Sequence, residues 1–572
     1  MAYTLHYRVR TILALVLLLL ASQLSADTLL VRGGTLIDMT GNKPLGNASI
    51  LVRDGVIAQI WQGTAVTDYP SDTEIIDAKG KFIIPGLIDS HVHYNWYMGA
   101  LFLSHGITTV NDLSSRVDWQ RAVRHALNNG NLRGPRYLYC ARVGKANAAQ
   151  AQQVVAKLLQ ISDCLRFDAN SEEDQTLAFT SVAEASNTSI IAHSYDAVES
   201  ARLGIDGIEH LEGVAISTIQ NEQGKAALAS LTVEEGHKNP LLFQHMEPAL
   251  FDEVISKLIE ANVYLNPTLI HEWKGVIDRT AQFESEEMQL LANPSLQYIP
   301  LDEKLVSLGQ YHWADLALFP ANGADPATEI FINNSYLLPA QNLRQQLNEG
   351  YRNMQQFLRE FVRAGGKLYS GTDTAAASIP GISLHHEMQL YVDAGIPAEA
   401  ALASSTRWAA ELLHIDERLG TIEAGKQADI VILDADPLKD IANTKQIYKV
   451  ILAGKPVDTT FHSDYDFPFH QYGTVSKHLY HQPPVLLSVS PGSASKNSEI
   501  TLKISGENFV PASVVLFNGA AVSTRWISTT ELSAVLGARQ TTQPGSYLLG
   551  VDTPAPGGGR VESLEFIIDY AE

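Results

Sequence analysis

The sequence predicts a multidomain protein: a (β/α)8 TIM barrel, a small β-sandwich built from both flanks of the barrel, and a C-terminal Ig-like β-sandwich. Three observations give this. Between residues 85 and 416, short apolar strands alternate with helical stretches, the pattern of βα units over a parallel sheet. The stretches 27–84 and 417–460, on either side, hold short alternating strands and turns instead. From 484 to 572 the chain is again strand and turn only, with punctuation at Pro491-Gly492, Asn518-Gly519 and Pro544-Gly545.

Each element has its own signal. In the first flank, Ile50-Leu51-Val52 and Val56-Ile57 are joined by Asp54-Gly55, a hairpin turn. Eight candidate barrel strands follow: 86–89, 108–110, 137–139, 164–167, 190–192, 207–209, 263–265 and 367–369. Eight is the number the barrel needs. The polar and aromatic stretch from about 272 to 352 reads as an insertion before the last strand. Ile430-Val431-Ile432-Leu433 and Lys449-Val450-Ile451-Leu452 return to the texture of the first flank, so both flanks are expected to complete one small domain. A His- and Tyr-rich linker spans 461–483.

Bulk properties narrow the partners. At 572 residues the chain holds several domains, and 45% apolar with 18% charged residues suits folded protein. A formal charge of −22 argues against nucleic acid, whose phosphates need a basic face. Arg8 and Arg10, the apolar run Ile12 to Ala21, and Ser25-Ala26 before Asp27 give a signal peptide over 1–26. The expected location is periplasmic or secreted, with no membrane span after cleavage. The two cysteines, Cys140 and Cys164, fall in candidate strands and are readable as a pair or as buried thiols.

The chemistry gathers at strand ends. His91 and His93, two apart in a strand, face the same way and could grip one cation. His193 ends Ile190-Ile191-Ala192, His210 ends Gly207-Ile208-Glu209, and Asp373 follows the last strand. Each sits at a C-terminal strand end, where such barrels build their sites. Tyr195 and His271 are candidate substrate contacts. His385-His386-Glu387 is explained by helix capping and packing rather than by a second metal site.

These residues carry a resemblance. The stretch Pro85-Gly86-Leu87-Ile88-Asp89-Ser90-His91-Val92-His93, with Gly207-Ile208-Glu209-His210, Gly371-Thr372-Asp373 and Gly420-Thr421-Ile422-Glu423-Ala424-Gly425, resembles the amidohydrolase superfamily. Within it, the chain is similar to the imidazolonepropionase-like and prolidase-like branch. The resemblance implies a metal-dependent hydrolase of carbon–nitrogen bonds in a small amide or dipeptide-like substrate. It implies a divalent ion, usually Zn2+, held by His91, His93, His193, His210 and Asp373, with Asp373 also passing the proton. One departure stands out. Where two-metal relatives carry a bridging carboxylated Lys, this chain aligns Arg166, which has no acceptor lone pair. That leaves three readings: a single ion, a shifted alignment with a group such as Lys145 in that role, or an exported binding scaffold that has lost catalysis. Residues 484–572 resemble IPT/TIG Ig-like domains, whose expected role is docking to a protein or carbohydrate.

Overall fold

The structure is a computed structural model, and it describes residues 28–63, 69–114, 117–130, 132–143, 148–167, 173–231, 239–312, 343–374, 377–462, 483–511, 513–553 and 559–569. The expected signal peptide, Lys145, and nearly all of the expected linker lie outside these residues.

The first flank supplies β1 (Thr28–Leu36), β2 (Leu45–Arg53), β3 (Val56–Gln62), β4 (Glu74–Asp77) and β5 (Phe82–Pro85). The barrel strands are β6 (Leu87–Val92), β7 (Ile107–Asp112), β8 (Arg136–Arg142), β9 (Cys164–Phe167), β10 (Ile190–His193), β11 (Gly207–Glu209), β12 (Tyr264–Asn266) and β13 (Lys367–Leu368). They lie side by side in chain order in one eight-stranded sheet, with every pair parallel. The ends of that sheet meet: Ser90 N–H donates to the Ser370 carbonyl, and Val92 bridges to Thr374. These are the eight strands that the sequence predicts.

The second flank adds β14 (Ile430–Leu433), β15 (Ile447–Leu452) and β16 (Lys455–Pro456). All three join the first flank in one mixed sheet, with β14 paired antiparallel to β5. The apolar run of β14 explains its place. Alternation sends Val431 and Leu433 into the barrel's outer core, and Ile430 and Ile432 into the flank's own core. Ile84 and Ile83 of β5 divide in the same way. A strand buried on both faces reads as a continuous apolar run.

One departure from the sequence reading concerns length. A 21-residue helix, Leu343–Arg363, begins inside the expected insertion, because its apolar face packs on the barrel through Leu347, Met354, Phe357, Leu358 and Phe361. The described part of the insertion is itself helical, with Thr280–Leu291 and Leu301–Gly309. Residues Val485 to Asp569 form a four-stranded and a five-stranded sheet around one core. No helix among the described residues is long and apolar enough to cross a membrane.

The cysteines are joined. Cys140 and Cys164 are direct neighbours across β8 and β9 and form a disulfide. Both face the barrel interior with Ile88, Ile191 and Tyr369, while Leu165 and Phe167 of β9 face outward. Thiol titration of the denatured, unreduced protein should therefore find no free thiol, and reduction should expose both. The bond closes a loop of sequence separation 24. Replacing both cysteines by Ala should cost about 3 kcal/mol in urea unfolding.

Candidate metal centre

Barrel closure builds the site. Strand β6 ends in His91-Val92-His93, and the chain leaving β13 runs beside it. The His91 carbonyl accepts from Asp373 N–H at 2.9 Å and Thr372 N–H at 3.2 Å. Gly371 permits this approach, since a Cβ there would lie 2.4 Å from the His91 Cβ. Asp89, fully buried, accepts from Thr372 N–H at 3.1 Å and Thr372 Oγ1 at 2.7 Å. Burial raises the Asp89 pKa to about 7, against the lowering effect of those bonds. Asp373, His210 and Thr268 all adopt left-handed backbone, with φ of 49°, 57° and 43°. Such conformations in non-glycine residues cluster where a site dictates the backbone.

His91, His93 and Asp373 come together. One donor atom from each lies within 4.8 Å of the others. The Asp373 Oδ1 is 3.2 Å from His91 Nε2 and 2.9 Å from His93 Nε2. The His91 side chain is fully buried, whereas that of His93 is 39% exposed, so the group opens to solvent on the His93 side. His193 and His210 stand beside it, with ring centroids 6.2 and 5.5 Å from that of His91. His210 Nε2 is 3.9 Å from Asp373 Oδ2. His271 reaches the same oxygen, with Nε2 at 3.5 Å. Tyr195 is half-buried against the barrel's apolar shell.

Several partners were not picked out from the sequence. Glu209, fully buried, accepts from His91 Nδ1 at 2.6 Å, Asn266 Nδ2 at 2.6 Å and Tyr369 OH at 2.8 Å. It fixes the His91 ring and leaves Nε2 for the open side. Gly207 faces Tyr369 in the lumen, so Glu209, two residues on, faces inward as well. Glu272 lies 3.4 Å from His210 Nδ1, which also pairs with Thr268 Oγ1 at 2.6 Å. Glu387 accepts from the Leu269 and Ile270 N–H groups and caps the short helix carrying His271 and Glu272. Its neighbours His385 and His386 pack as expected, His385 against Thr444 and the His105 carbonyl, His386 against Glu286 and the Phe283 ring.

The electrostatics favour positive charge at His91 and negative charge at Asp373. Burial alone would lower the His91 pKa, but Glu209 and Asp373 raise it to about 10. Burial works to raise that of Asp373, yet His271 and His91 hold it well below the carboxylate range. Two imidazoles and one carboxylate are the donor set of a borderline ion such as Zn2+. Arg166 points inward, two residues past Cys164, and donates to the Leu113 carbonyl at the end of β7. Leu113 follows Asp112, whose carboxylate feels the charge of His93. A guanidinium there adds positive charge and offers no lone pair.

Removing the Glu209 carboxylate tests this arrangement. Glu209→Gln should weaken metal binding about 10–100-fold in a chelator competition, with His91, His93 and Asp373 still present.

Comparison with known proteins agrees with the geometry. The sequence pattern of the amidohydrolase family matches residues 82–457, more than half of the chain, and that of the IPT/TIG domain matches 484–566. The imidazolonepropionase of Fusobacterium nucleatum is 23% identical over 457 residues, covering 74% of this chain and 98% of the relative. An uncharacterised protein of Mycobacterium bovis is 37% identical over 89 residues, so the chain spans 14% of that relative's length. Two solved structures share the fold: a molinate hydrolase (TM-score 0.52, 16% identity, 76% of this chain and 95% of that one) and a Xaa-Pro dipeptidase with bound methionine (TM-score 0.50, 19% identity, 75% and 100%).

Proposed function

Because the chain belongs to the amidohydrolase family and ends in an IPT/TIG domain, we propose that its barrel hydrolyses carbon–nitrogen bonds other than ordinary peptide bonds. The substrate class is a small amide or dipeptide-like molecule. The observation that carries this reading is the open-sided group of His91, His93 and Asp373 at the C-terminal mouth of the barrel. The near full-length similarity to an imidazolonepropionase supports it.

One divalent ion, Zn2+, fits the donors. His91 Nε2, His93 Nε2 and an Asp373 oxygen would hold it, with His193 and His210 as further ligands. Such an ion, when bound, polarises the scissile carbonyl and lowers the pKa of its water to about 7. The remaining work falls to the chain. Glu209 holds the His91 ring in one tautomer. Asp373 takes the proton from water and delivers it to the leaving amine, so the products are a carboxylate and an amine. His271 lies within 3.5 Å of the oxygen concerned and lines the substrate side, with Tyr195 as a more distant contact. Arg166 argues for one ion rather than two.

The remaining assignments follow the same reading. Residues 1–26 are a signal peptide, and the flank sheet folds on its own core as a small sandwich. The mature chain is periplasmic or secreted, and the Cys140–Cys164 disulfide suits an oxidising compartment. The IPT/TIG domain docks to a protein or carbohydrate. N-terminal sequencing of the exported protein should begin near Asp27.

Elemental analysis of the purified mature protein should find one divalent ion per chain, and protein that takes up no Zn2+ would sink the metal assignment. Asp373→Asn should lower the rate of amide hydrolysis by about 100-fold or more. Unchanged turnover in that variant would instead favour a scaffold whose chemistry lies elsewhere.

A further inference from the structure

Lys274 is fully buried, two residues beyond Glu272. Burying an ammonium is costly unless its bonds are complete. Here they are complete, and they reach three separate parts of the chain. The Nζ donates to Glu287 Oε2 at 2.8 Å, Ser307 Oγ at 3.1 Å, the Ser307 carbonyl at 3.3 Å and the Ala377 carbonyl at 2.8 Å. It also sits 4.3 Å from the centre of the Tyr311 ring. Glu287 and Ser307 belong to the two helices of the insertion, Thr280–Leu291 and Leu301–Gly309. Ala377 belongs to the segment that leaves Asp373. One ammonium therefore ties the strand-end segment carrying Asp373 to the insertion.

A second contact runs to the segment after His93. The Tyr298 and Trp96 rings lie 6.2 Å apart, and Ile299 and Glu303 share a small cleft with Tyr97, Leu101, Ser378 and Pro380. The insertion thus rests on the chain following both groups of metal-site residues. An apolar side chain would serve mere packing at position 274. A directional donor is needed to meet the buried Glu287 and Ser307 acceptors and to hold the Ala377 carbonyl in one place.

We propose that Lys274 is a positioning residue, which sets Asp373 by anchoring the segment after it to the insertion. The catalytic part of this inference rests on the hydrolase reading above, whereas the mechanical part does not. Hydrogen exchange on the full chain reads the mechanical part directly. In Lys274→Met, backbone amides of residues 377–383 should exchange about tenfold faster or more, while β6 and β10 keep their protection. On an amide substrate that the parent protein hydrolyses, kcat should fall about 10–100-fold, with KM within threefold.

Lys274→Met leaves the buried Glu287 without its ammonium partner, which is destabilising. The double variant Lys274→Met/Glu287→Leu removes both charges together and guards against that. It should unfold near the parent's denaturant midpoint and still show the faster exchange at 377–383 and the lower kcat. Parent-like exchange in a folded variant overturns the proposal, as does a parent-like kcat. Global unfolding of both variants overturns it too, since Lys274 would then be purely structural. If the parent protein hydrolyses no amide, the hydrolase reading fails, and the exchange measurement alone decides whether Lys274 holds the Asp373 segment.

Discussion

The site depends on the seam where the barrel closes. Asp89 and Thr372 are 283 residues apart in the chain, yet Thr372 gives both its N–H and its hydroxyl to the Asp89 carboxylate. The carboxylate is fully out of water, so those bonds offset a large desolvation cost. Through them, and through the His91 carbonyl, the chain leaving β13 is laid along β6. Asp373 reaches the two histidines only because of this seam.

The seam is supported from both sides by buried carboxylates with distinct tasks. Glu209 orients His91 and gathers Asn266 and Tyr369 from the two following strands. Asn266 in turn accepts from Gly371 N–H at 3.0 Å, which returns to the seam. Glu387 caps the short helix that brings His271 and Glu272 to the mouth. Each buried acid accepts from ring, amide, hydroxyl or backbone donors of chain close to His91, Asp373 or His271. A rim built this way holds the backbone in conformations that isolated residues avoid, as at His210, Thr268 and Asp373.

The rest of the molecule frames the barrel. The flank sheet shares β5 and β14 with it, each strand giving one face to each core. The disulfide joins two neighbouring strands below Arg166, with the Asn111 side chain between it and the Ser90 carbonyl, 3.4 Å from Cys140 Sγ and 3.2 Å from Ser90 O. The lumen beneath the site is therefore tied covalently between β8 and β9, and by the Asn111 hydrogen bond to the strand that bears His91.

Much of this was legible in the sequence because it rests on local periodicity. The eight barrel strands and the two-faced burial of β14 follow from runs and alternation, and the histidines and Asp373 were visible as residues at strand ends. The sequence also marked Arg166 as out of keeping with a bridged pair of ions. Other facts belong to the tertiary structure, because they are contacts between residues far apart in the chain. Glu209 reads in the sequence as the end of an apolar strand, and only the tertiary structure brings Tyr369 and Asn266 to it. Cys140 and Cys164 are readable in the sequence as a pair or as buried thiols, and only strand register decides for the pair. Lys274 stands near the start of the insertion in the sequence, and only the packing of two helices and the Ala377 segment around it removes it from water. Local pattern determined which elements form and which groups stand at their ends. The closing of the barrel decided which of those groups share a hydrogen bond.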